Sequence, residues 1–254
     1  MDSPALGIDI GGSGIKAGFV NTVTGEMIGE RIKIDTPIPS TPDAVAGAVK
    51  GLIESLDWKG EKIGCGFPAV IQDGVSLTAS NIDKGWIDTN VAELLHRYTG
   101  HQYYIINDAD AAGLAERMYG RIKNEKGTVL MLTLGTGIGS ALFYDGVLIP
   151  NTEFGHLIYR DSIAEHWVSN RARKDRGLEY DTWASELAAF LDYTINLLSP
   201  RIIVLGGGVS FRFDEFSRHF EHLRVPVVNA MMYNDAGIIG AALAAYPELL
   251  EAYT

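Results

Sequence analysis

The chain has 254 residues, of which 46% are hydrophobic and 21% are charged, a balance typical of a globular protein with a substantial core. The net charge of −11 argues against a general nucleic-acid or membrane-surface binder, and no apolar stretch is long enough to span a bilayer. The single cysteine, Cys65, excludes an internal disulfide and a multi-cysteine zinc site, and we expect a cytoplasmic protein.

Alternating strand and helix patterns run along the whole chain, which indicates an α/β protein. In chain order, we predict three strands over 5–34, a helix over 44–56 capped by Thr41 or Asp43, a strand over 62–67, a hairpin over 70–77, a helix over 89–98, a strand over 103–106 and a helix over 109–118. A second series follows, with a strand hairpin from 129, helices over 163–173 and 180–197, a strand over 201–205, a helix to about 222 and a strand over 225–229. We predict a small N-terminal domain of residues 1–107, a large domain of 108–235, and a final helix over about 236–254 that packs back onto the small domain.

Two glycine turns in the sequence share one pattern. Gly12–Val20 and Gly135–Phe143 each follow an apolar run and lead into another, which predicts strand, tight turn and strand in both places. Glycine lets the backbone take a positive φ and lets an anion approach the amides. The repeat indicates two related half-domains facing one phosphate site, although two ordinary hairpins would give the same pattern.

Acidic and basic side chains flank the first turn. Asp9 ends the first predicted strand, where a carboxylate could hold Mg²⁺ through water beside a transferring phosphate, or could simply cap a turn. Lys16 follows the turn and would then face the phosphoryl group, unless it is an exposed strand lysine.

Asn107 and Asp108 stand at a predicted strand-to-helix junction. α/β sheets place ligands at the carboxyl ends of their strands, so Asp108 is a candidate general base and Asn107 a candidate partner for the same ligand. The alternative is that Asp108 only caps the helix that follows.

A polar segment and a basic segment follow the second hairpin. Glu153 and His156 could converge on one small polar ligand, and Glu165 could join them, although a charge near a helix start would explain Glu165 equally well. The four basic residues over 171–176 form either a solvated helix face or a docking strip for a polyphosphate chain. The Gly206–Gly208 run precedes a predicted helix and suits a phosphate or a nucleotide.

Together these segments resemble the ROK family of sugar kinases, in the actin-like ATPase superfamily. Six segments carry the resemblance in the expected order: Ile8–Lys16 and Leu134–Gly139 (phosphate motifs), Asn81–Trp86 (sugar loop), Asn107–Ala112 (catalytic base), Glu153 to His156 with Glu165 to Ser169 (sugar ligands), and Leu205–Val209 (adenosine-side turn). The resemblance implies an α/β fold of two actin-like, ribonuclease H-like half-domains with a ligand cleft between them.

The resemblance also implies a role for each matching residue. Asp108 would deprotonate the 6-hydroxyl of glucose, with Mg²⁺ near Asp9. The other sugar ligands would be Asn81, Asn107, Glu153, His156 and Glu165. The phosphate donor would be bound by Gly11, Gly12, Ser13, Gly14, Lys16, Thr136, Gly137 and Gly207. The docking-strip interpretation of the basic segment adds Arg171 and Arg173 to these candidate donor ligands.

One departure from the family pattern indicates which branch of the ROK family the chain resembles. Most ROK proteins have a cysteine-rich zinc loop after the Glu-x-Gly-His motif, whereas Leu157 to Ala164 contains no cysteine. We therefore expect no structural zinc and a place in the branch that phosphorylates glucose from inorganic polyphosphate, in some members also from ATP. Family likeness further implies a homodimer, and the acidic net charge leads us to expect no nucleic acid or membrane as a partner.

Three alternatives remain at this point. The first is a strictly ATP-dependent hexokinase acting on glucose, mannose or fructose. The second is a small actin-like kinase for another acceptor such as pantothenate, which the sugar motifs disfavour. The third is a sugar-sensing repressor, which we disfavour because the first phosphate motif starts too near the N-terminus for a DNA-binding segment.

Overall fold

The computed structural model describes residues 4–251, and the chain divides into two compact units. Of the described chain, residues 4–118 and 235–251 form the first unit, and residues 119–234 form the second unit. The division after Met118 differs from the predicted boundary between residues 107 and 108. Residues 252–254, the end of the predicted final helix, lie outside the described residues.

The elements alternate between strands and helices in both units. The first series is β1 (Pro4–Ile10), β2 (Ile15–Asn21), β3 (Met27–Ile34), α1 (Pro42–Leu56), β4 (Lys62–Phe67), β5 (Ile71–Gln72), β6 (Val75–Ser76), β7 (Thr89–Asn90), α2 (Val91–Thr99), β8 (Gln102–Asn107) and α3 (Asp108–Met118). The second series is β9 (Thr128–Leu134), β10 (Ile138–Tyr144), β11 (Val147–Ile149), β12 (Ile158–Tyr159), β13 (Ser162–Ile163), α4 (Glu165–Val168), α5 (Asn170–Asp175), α6 (Tyr180–Leu198), β14 (Ile202–Gly206) and β15 (Val227–Asn229). Two helices, α7 (Ala236–Ala244) and α8 (Pro247–Glu251), end the described chain.

The main sheets of the two units have the same construction. The first has the order β3-β2-β1-β4-β8 and the second β11-β10-β9-β14-β15. In each sheet the first three strands are antiparallel and the last two continue in parallel from the third. The prediction of two related half-domains is therefore confirmed in strand order and direction.

Each sheet is covered by helices whose apolar faces the sequence pattern identifies. In the first unit, Val45, Val49 and Leu52 of α1 are buried in one cluster with the inward side chains of β1 and β4. Thr41 caps α1, its Oγ1 accepting a hydrogen bond from the backbone N of Ala44 at 3.4 Å, as the sequence predicts. In the second unit the long helix α6 buries its aromatic and aliphatic side chains in the cluster that contains β9 and β14.

The predicted helix over 163–173 was wrong in its continuity. The chain instead forms the β12–β13 hairpin, then α4 and α5, with a break at Ser169. The backbone of Ser169 is extended (φ −68°, ψ 160°), and its Oγ accepts a hydrogen bond from the backbone N of Ala172 at 3.0 Å. The helix predicted after Gly208 is likewise replaced by 3₁₀ turns over Gly208–Glu215 and Ser217–Phe220.

Two glycines bring the backbones of α7, α3 and β4 into direct contact. A Cβ placed on Gly240 of α7 would lie 1.6 Å from the carbonyl oxygen of Ala111 in α3. A Cβ on Gly64 of β4 would lie 1.7 Å from the carbonyl oxygen of Ala241. Because both obstacles are backbone atoms, they cannot rotate away. This close packing is the physical reason that α3 belongs to the first unit.

Replacing Gly240 by alanine tests this backbone contact. We expect Gly240→Ala to destabilise the protein by at least about 2 kcal/mol, because the added methyl group overpacks a rigid contact. Gly47→Ala is the matched control, since Gly47 also lies inside a helix but has no atom of residues 4–251 outside its own helix within 4 Å of its Cβ position. The control should stabilise by roughly 0.5–1 kcal/mol through its better helix propensity. Urea unfolding followed by circular dichroism measures both, and equal effects of the two substitutions would contradict the contact.

Candidate active site

The first glycine turn packs against the predicted sugar loop. The backbone N of Gly11 donates to the carbonyl oxygen of Gly14 at 2.9 Å, which closes the turn between β1 and β2. A Cβ on Gly12 would lie 2.8 Å from the carbonyl oxygen of Asn81, so only glycine fits there. Gly12 and Ser13 are exposed at the tip. The structure therefore brings Gly11, Gly12, Ser13, Gly14 and Asn81 together.

Asp9 and Lys16 face each other across the base of this turn. They are paired residues in the antiparallel register of β1 and β2, and the Lys16 Nζ lies 2.9 Å from the Asp9 Oδ2. A Cβ on Gly237, in the first turn of α7, would lie 2.8 Å from the Asp9 Cγ. The carboxylate thus lies against a helix N-terminus, which favours its negative charge. Sequence reasoning missed Gly237, although the Gly237–Gly240 spacing signals close helix packing.

Asn107 and Asp108 both accept hydrogen bonds from backbone N–H groups at the start of α3. Asn107 is buried, and its Oδ1 accepts hydrogen bonds from the backbone N of Ala109 at 2.9 Å and of Asp110 at 3.1 Å. Its Nδ2 donates to the carbonyl oxygen of Ala69 at 3.0 Å. Asn107 therefore caps α3, and Asp108, whose Oδ1 also accepts from the Ala109 N at 2.8 Å, is not the residue in the capping position. That Asn107 itself binds a sugar hydroxyl remains a prediction.

Asp9 and Asp108 lie at the same edge of the first sheet, at the carboxyl ends of β1 and β8. β1, β4 and β8 are parallel neighbours, with Asp9 opposite Gly66 and Phe67 opposite Asn107. Carboxyl ends of parallel strands are where α/β sheets bind ligands. The first unit therefore places the Gly11–Gly14 turn, the Asp9 carboxylate and the half-buried Asp108 carboxylate at one edge.

In the second unit, two glycine turns lie side by side. The backbone N of Gly135 donates to the carbonyl oxygen of Gly137 at 3.0 Å, with Thr136 exposed at the tip. β14 runs parallel to β9, and Gly207 follows it with a φ of +79°. A Cβ on Gly207 would lie 2.7 Å from the carbonyl oxygen of Leu134, so the two turns are in contact.

Glu153, His156 and Glu165 form one cluster beside the start of β10. The Nδ1 of His156 lies 3.1 Å from the Glu153 Oε2, and its Nε2 lies 3.9 Å from the Glu165 Oε1. The Glu165 Oε2 accepts from the backbone N of Ile138 at 3.2 Å. A Cβ on Gly155 would lie 2.2 Å from the carbonyl oxygen of Ile138, which explains the glycine in the Glu-x-Gly-His segment. The cluster offers several acceptors around one imidazole, an arrangement suited to sugar hydroxyls.

The environment of Glu153 disfavours its charge. Burial raises the pKa of Glu153 above its usual value, the nearby Glu165 carboxylate raises it further, and His156 opposes the rise. A carboxylate kept partly out of water is a strong hydrogen-bond acceptor once a ligand arrives, and such shifts are common at functional sites.

Cation–π contacts fasten α4, which carries Glu165. The guanidinium carbons of Arg160 and Arg176 lie 4.9 and 5.5 Å from the Trp167 ring centroid. Arg176 donates to the Trp167 carbonyl oxygen at 3.1 Å, and to both Glu186 oxygens at 2.7 and 2.9 Å. A four-residue helix is too short to be stable alone, so these contacts hold it in place.

The arginines of the basic segment over 171–176 have different partners: Arg176 pairs with Glu186, whereas Arg171 and Arg173 make contacts elsewhere. Arg176 is engaged by Glu186, as above. The backbone N of Arg171 donates to the Gly135 carbonyl oxygen at 3.1 Å, which attaches α5 to the Gly135–Gly137 turn. The exposed side chain of Arg171 lies 3.5 Å from Asp175. Arg173 donates to the Asn170 Oδ1 and to the Leu178 carbonyl oxygen, both at 3.1 Å.

Across residues 4–251, no group of three or more His, Cys, Asp or Glu side chains could hold a metal ion. Within the same range, the helices are all too short or too polar to cross a bilayer.

Comparison with known proteins places the chain in a family. A model described as the ROK family matches residues 5–165. A polyphosphate glucokinase of Mycobacterium tuberculosis (strain ATCC 25618 / H37Rv) is 45% identical over 240 residues, which are 94% of this chain and 90% of the relative.

Solved structures agree with this result. An inorganic polyphosphate/ATP-glucomannokinase from Arthrobacter sp. strain KM has a TM-score of 0.93 and 44% identity, covering 97% of this chain and 99% of its own. A ROK family glucokinase from Streptomyces griseus, in complex with glucose and AMPPNP, has a TM-score of 0.81 and 23% identity, covering 96% of this chain and 100% of its own, and shows the fold alone. The predicted actin-like α/β fold is confirmed by these likenesses together with the repeated sheet order. The chain belongs to the ROK family.

Proposed function

We propose that this protein is a glucokinase that transfers a phosphoryl group from inorganic polyphosphate, and also from ATP, to the 6-hydroxyl of glucose. The observation that carries the proposal is the 45% identity, over 94% of the chain, to a polyphosphate glucokinase. The name of the Arthrobacter enzyme, which gives both polyphosphate and ATP, supports the pair of donors.

Asp108 is the proposed general base. Its carboxylate takes the proton of the glucose 6-hydroxyl while that oxygen attacks the terminal phosphorus of the donor. The bond between that phosphorus and the bridging oxygen of the next phosphate breaks, and the chain leaves one phosphate shorter. The cap that Asn107 supplies to α3 supports this role, because it fixes the backbone of Asp108 at the end of β8.

The remaining sugar hydroxyls are assigned to Asn81 of the first unit and to Glu153, His156 and Glu165 of the second. Their short mutual distances in the second unit support one shared ligand. A site of this kind rejects sugars that lack a hydroxyl, because buried polar groups would be left unpaired.

The phosphate donor is assigned to the two glycine turns and their basic neighbours. Backbone N–H groups at Gly12, Ser13 and Thr136 lie at exposed turn tips, where an anion can approach them. The proposed donor ligands are Gly11, Gly12, Ser13, Gly14, Lys16, Thr136, Gly137, Gly207, Arg171 and Arg173.

Mg²⁺ is the proposed cofactor, with Asp9 as its protein ligand through water. Mg²⁺ is often held by one or two carboxylates plus substrate phosphates, and the position of Asp9 at the strand end beside Lys16 fits that pattern. Bound there, the ion would neutralise charge on the transferring phosphoryl group. Family likeness supports a homodimer, and the segment from Leu157 to Ala164, which contains no cysteine, supports a protein without structural zinc. We also propose a cytoplasmic location.

An assay of the isosteric variant Asp108→Asn tests the proposal. With glucose as acceptor, and with polyphosphate and ATP compared at equal phosphate concentration, we expect the wild type to use both donors. Asp108→Asn should lower kcat by roughly 10²–10⁴ with either donor, because only the proton acceptor is lost, while calorimetry shows glucose binding little changed.

Asp73→Asn, the same change in the exposed β5–β6 turn, is the matched control and should leave kcat unaltered. Near-normal turnover of Asp108→Asn would refute the base assignment. Activity of the wild type with ATP alone would instead favour a strictly ATP-dependent hexokinase.

Substituting Glu153 tests the sugar cluster through stability as well as binding. Because folding raises the pKa of Glu153 from 4.5, it favours the protonated carboxyl. The resulting stabilisation of the folded protein is fully present at pH values below the ordinary pKa of Glu153, and it is lost as the pH rises through the raised pKa. Glu153→Gln imitates the protonated form, so it should raise Tm at neutral pH and leave Tm unchanged at about pH 4.

The same variant should raise the KM for glucose at least tenfold, since an ionised acceptor is lost. Glu54→Gln, on the exposed face of α1, should change neither quantity. A Tm difference from wild type that is equal at both pH values would show that Glu153 ionisation carries no cost.

A further inference from the structure

Two arginines contact the same tyrosine ring in the second unit. The guanidinium carbon of Arg173 in α5 lies 4.1 Å from the Tyr180 ring centroid, and that of Arg212 lies 5.6 Å from it. The Tyr180 ring is itself fixed, since it stacks on Phe216 at 5.6 Å and meets Trp183 edge-on at 6.0 Å. Both guanidiniums are therefore anchored on one rigid aromatic surface.

The charges of this pair are poorly compensated. In the described part of the chain, Arg173 has no carboxylate partner, and its hydrogen bonds go to the neutral Asn170 and Leu178. Arg212 lies 3.4 Å from Glu215, but both side chains are more than half exposed, so that pair contributes little. The guanidiniums are at most about 10 Å apart, roughly the screening length at 0.1 M salt, and they repel each other.

This surface is joined to the proposed donor turns. α5, which carries Arg173, is attached to the Gly135 carbonyl oxygen by the backbone N of Arg171. The 3₁₀ segment that carries Arg212 starts at Gly208, directly after Gly207, which packs on Leu134. An anionic chain held at the Gly135–Gly137 turn can therefore continue over Arg173 toward Arg212.

We propose that Arg173, Tyr180 and Arg212 form a remote subsite for the inorganic polyphosphate chain, beyond the phosphates that react. The inference rests on the proposed function and adds Arg212 and Tyr180 to the donor site. Guanidiniums bind phosphate oxygens through paired, charge-assisted hydrogen bonds, and the chain carries negative charge along its whole length. A donor of only three phosphates gains nothing from the far end of such a subsite.

Steady-state kinetics of Arg212→Gln with donors of two lengths test the proposal. The Arg212 side chain contacts Glu215 and Tyr180. The quantity measured is the ratio of the KM for long-chain polyphosphate to the KM for tripolyphosphate. The subsite predicts that Arg212→Gln raises this ratio roughly tenfold, the loss of one strong charged contact. Tyr180→Leu should raise it as well, because both guanidiniums lose their platform.

Arg218→Gln is the matched control, since it removes the same charge from a neighbouring segment where Arg218 is engaged by Asp181. An unchanged ratio in Arg212→Gln, or an equal rise in Arg218→Gln, would overturn the subsite while leaving the proposed donor intact. A wild type that uses no polyphosphate of either length would refute the donor and the subsite together. Thermal unfolding of each variant separates these outcomes from misfolding.

Discussion

The hydrogen bonds that Asn107 makes to the start of α3 are the constraint on which the chemistry depends. A helix start needs acceptors for its first N–H groups, and here one amide oxygen accepts from both Ala109 and Asp110. Asp108 is thereby held at the end of β8, the outer parallel strand of the first sheet, without being the capping residue itself. The same sheet edge carries Asp9 and the Gly11–Gly14 turn, so strand order puts the proposed base at the edge that also carries the proposed donor ligands of its unit.

The two units repeat one sheet but use its loops differently. In the first unit the strand ends supply carboxylates and the Gly11–Gly14 turn. In the second unit the corresponding hairpin supports the Glu153–His156–Glu165 cluster, through Ile138 at the start of β10. Ionised Glu153 costs folding free energy there, which His156 partly offsets. Such a cost to folding stability is common at functional sites, where residues serve activity at the expense of stability.

Local signals in the sequence were enough for much of the fold. Apolar runs on both sides of a glycine turn predicted both hairpins, and Thr41 or Asp43 before a helical pattern predicted the start of α1, where Thr41 is the cap. The continuous helix over 163–173 was wrong because Ser169 uses its side chain as a cap, which stops one helix and starts another. The place of α3 in the first unit depends on the contact of Gly240 with Ala111, which lie far apart in sequence.

In the candidate site too, the sequence identified residues by their motifs but did not predict which side chains would be in contact. Motif order indicated the residues of the glycine turns and of the sugar cluster, but the 3.9 Å approach of His156 to Glu165 follows from the tertiary fold. The basic segment was predicted as a unit, whereas Arg176 pairs with Glu186 and Arg173 packs on Tyr180, partners that no local pattern identifies. Side-chain partners of this type depend on how elements pack, so sequence periodicity carries no record of them.

The most direct measurement of the central claim is a crystal structure of the protein with glucose bound. The account predicts that the sugar 6-hydroxyl oxygen lies within hydrogen-bond reach of the Asp108 carboxylate, roughly 2.6–3.2 Å. A well-ordered glucose whose 6-hydroxyl faces another residue, with Asp108 out of reach of it, would contradict the account.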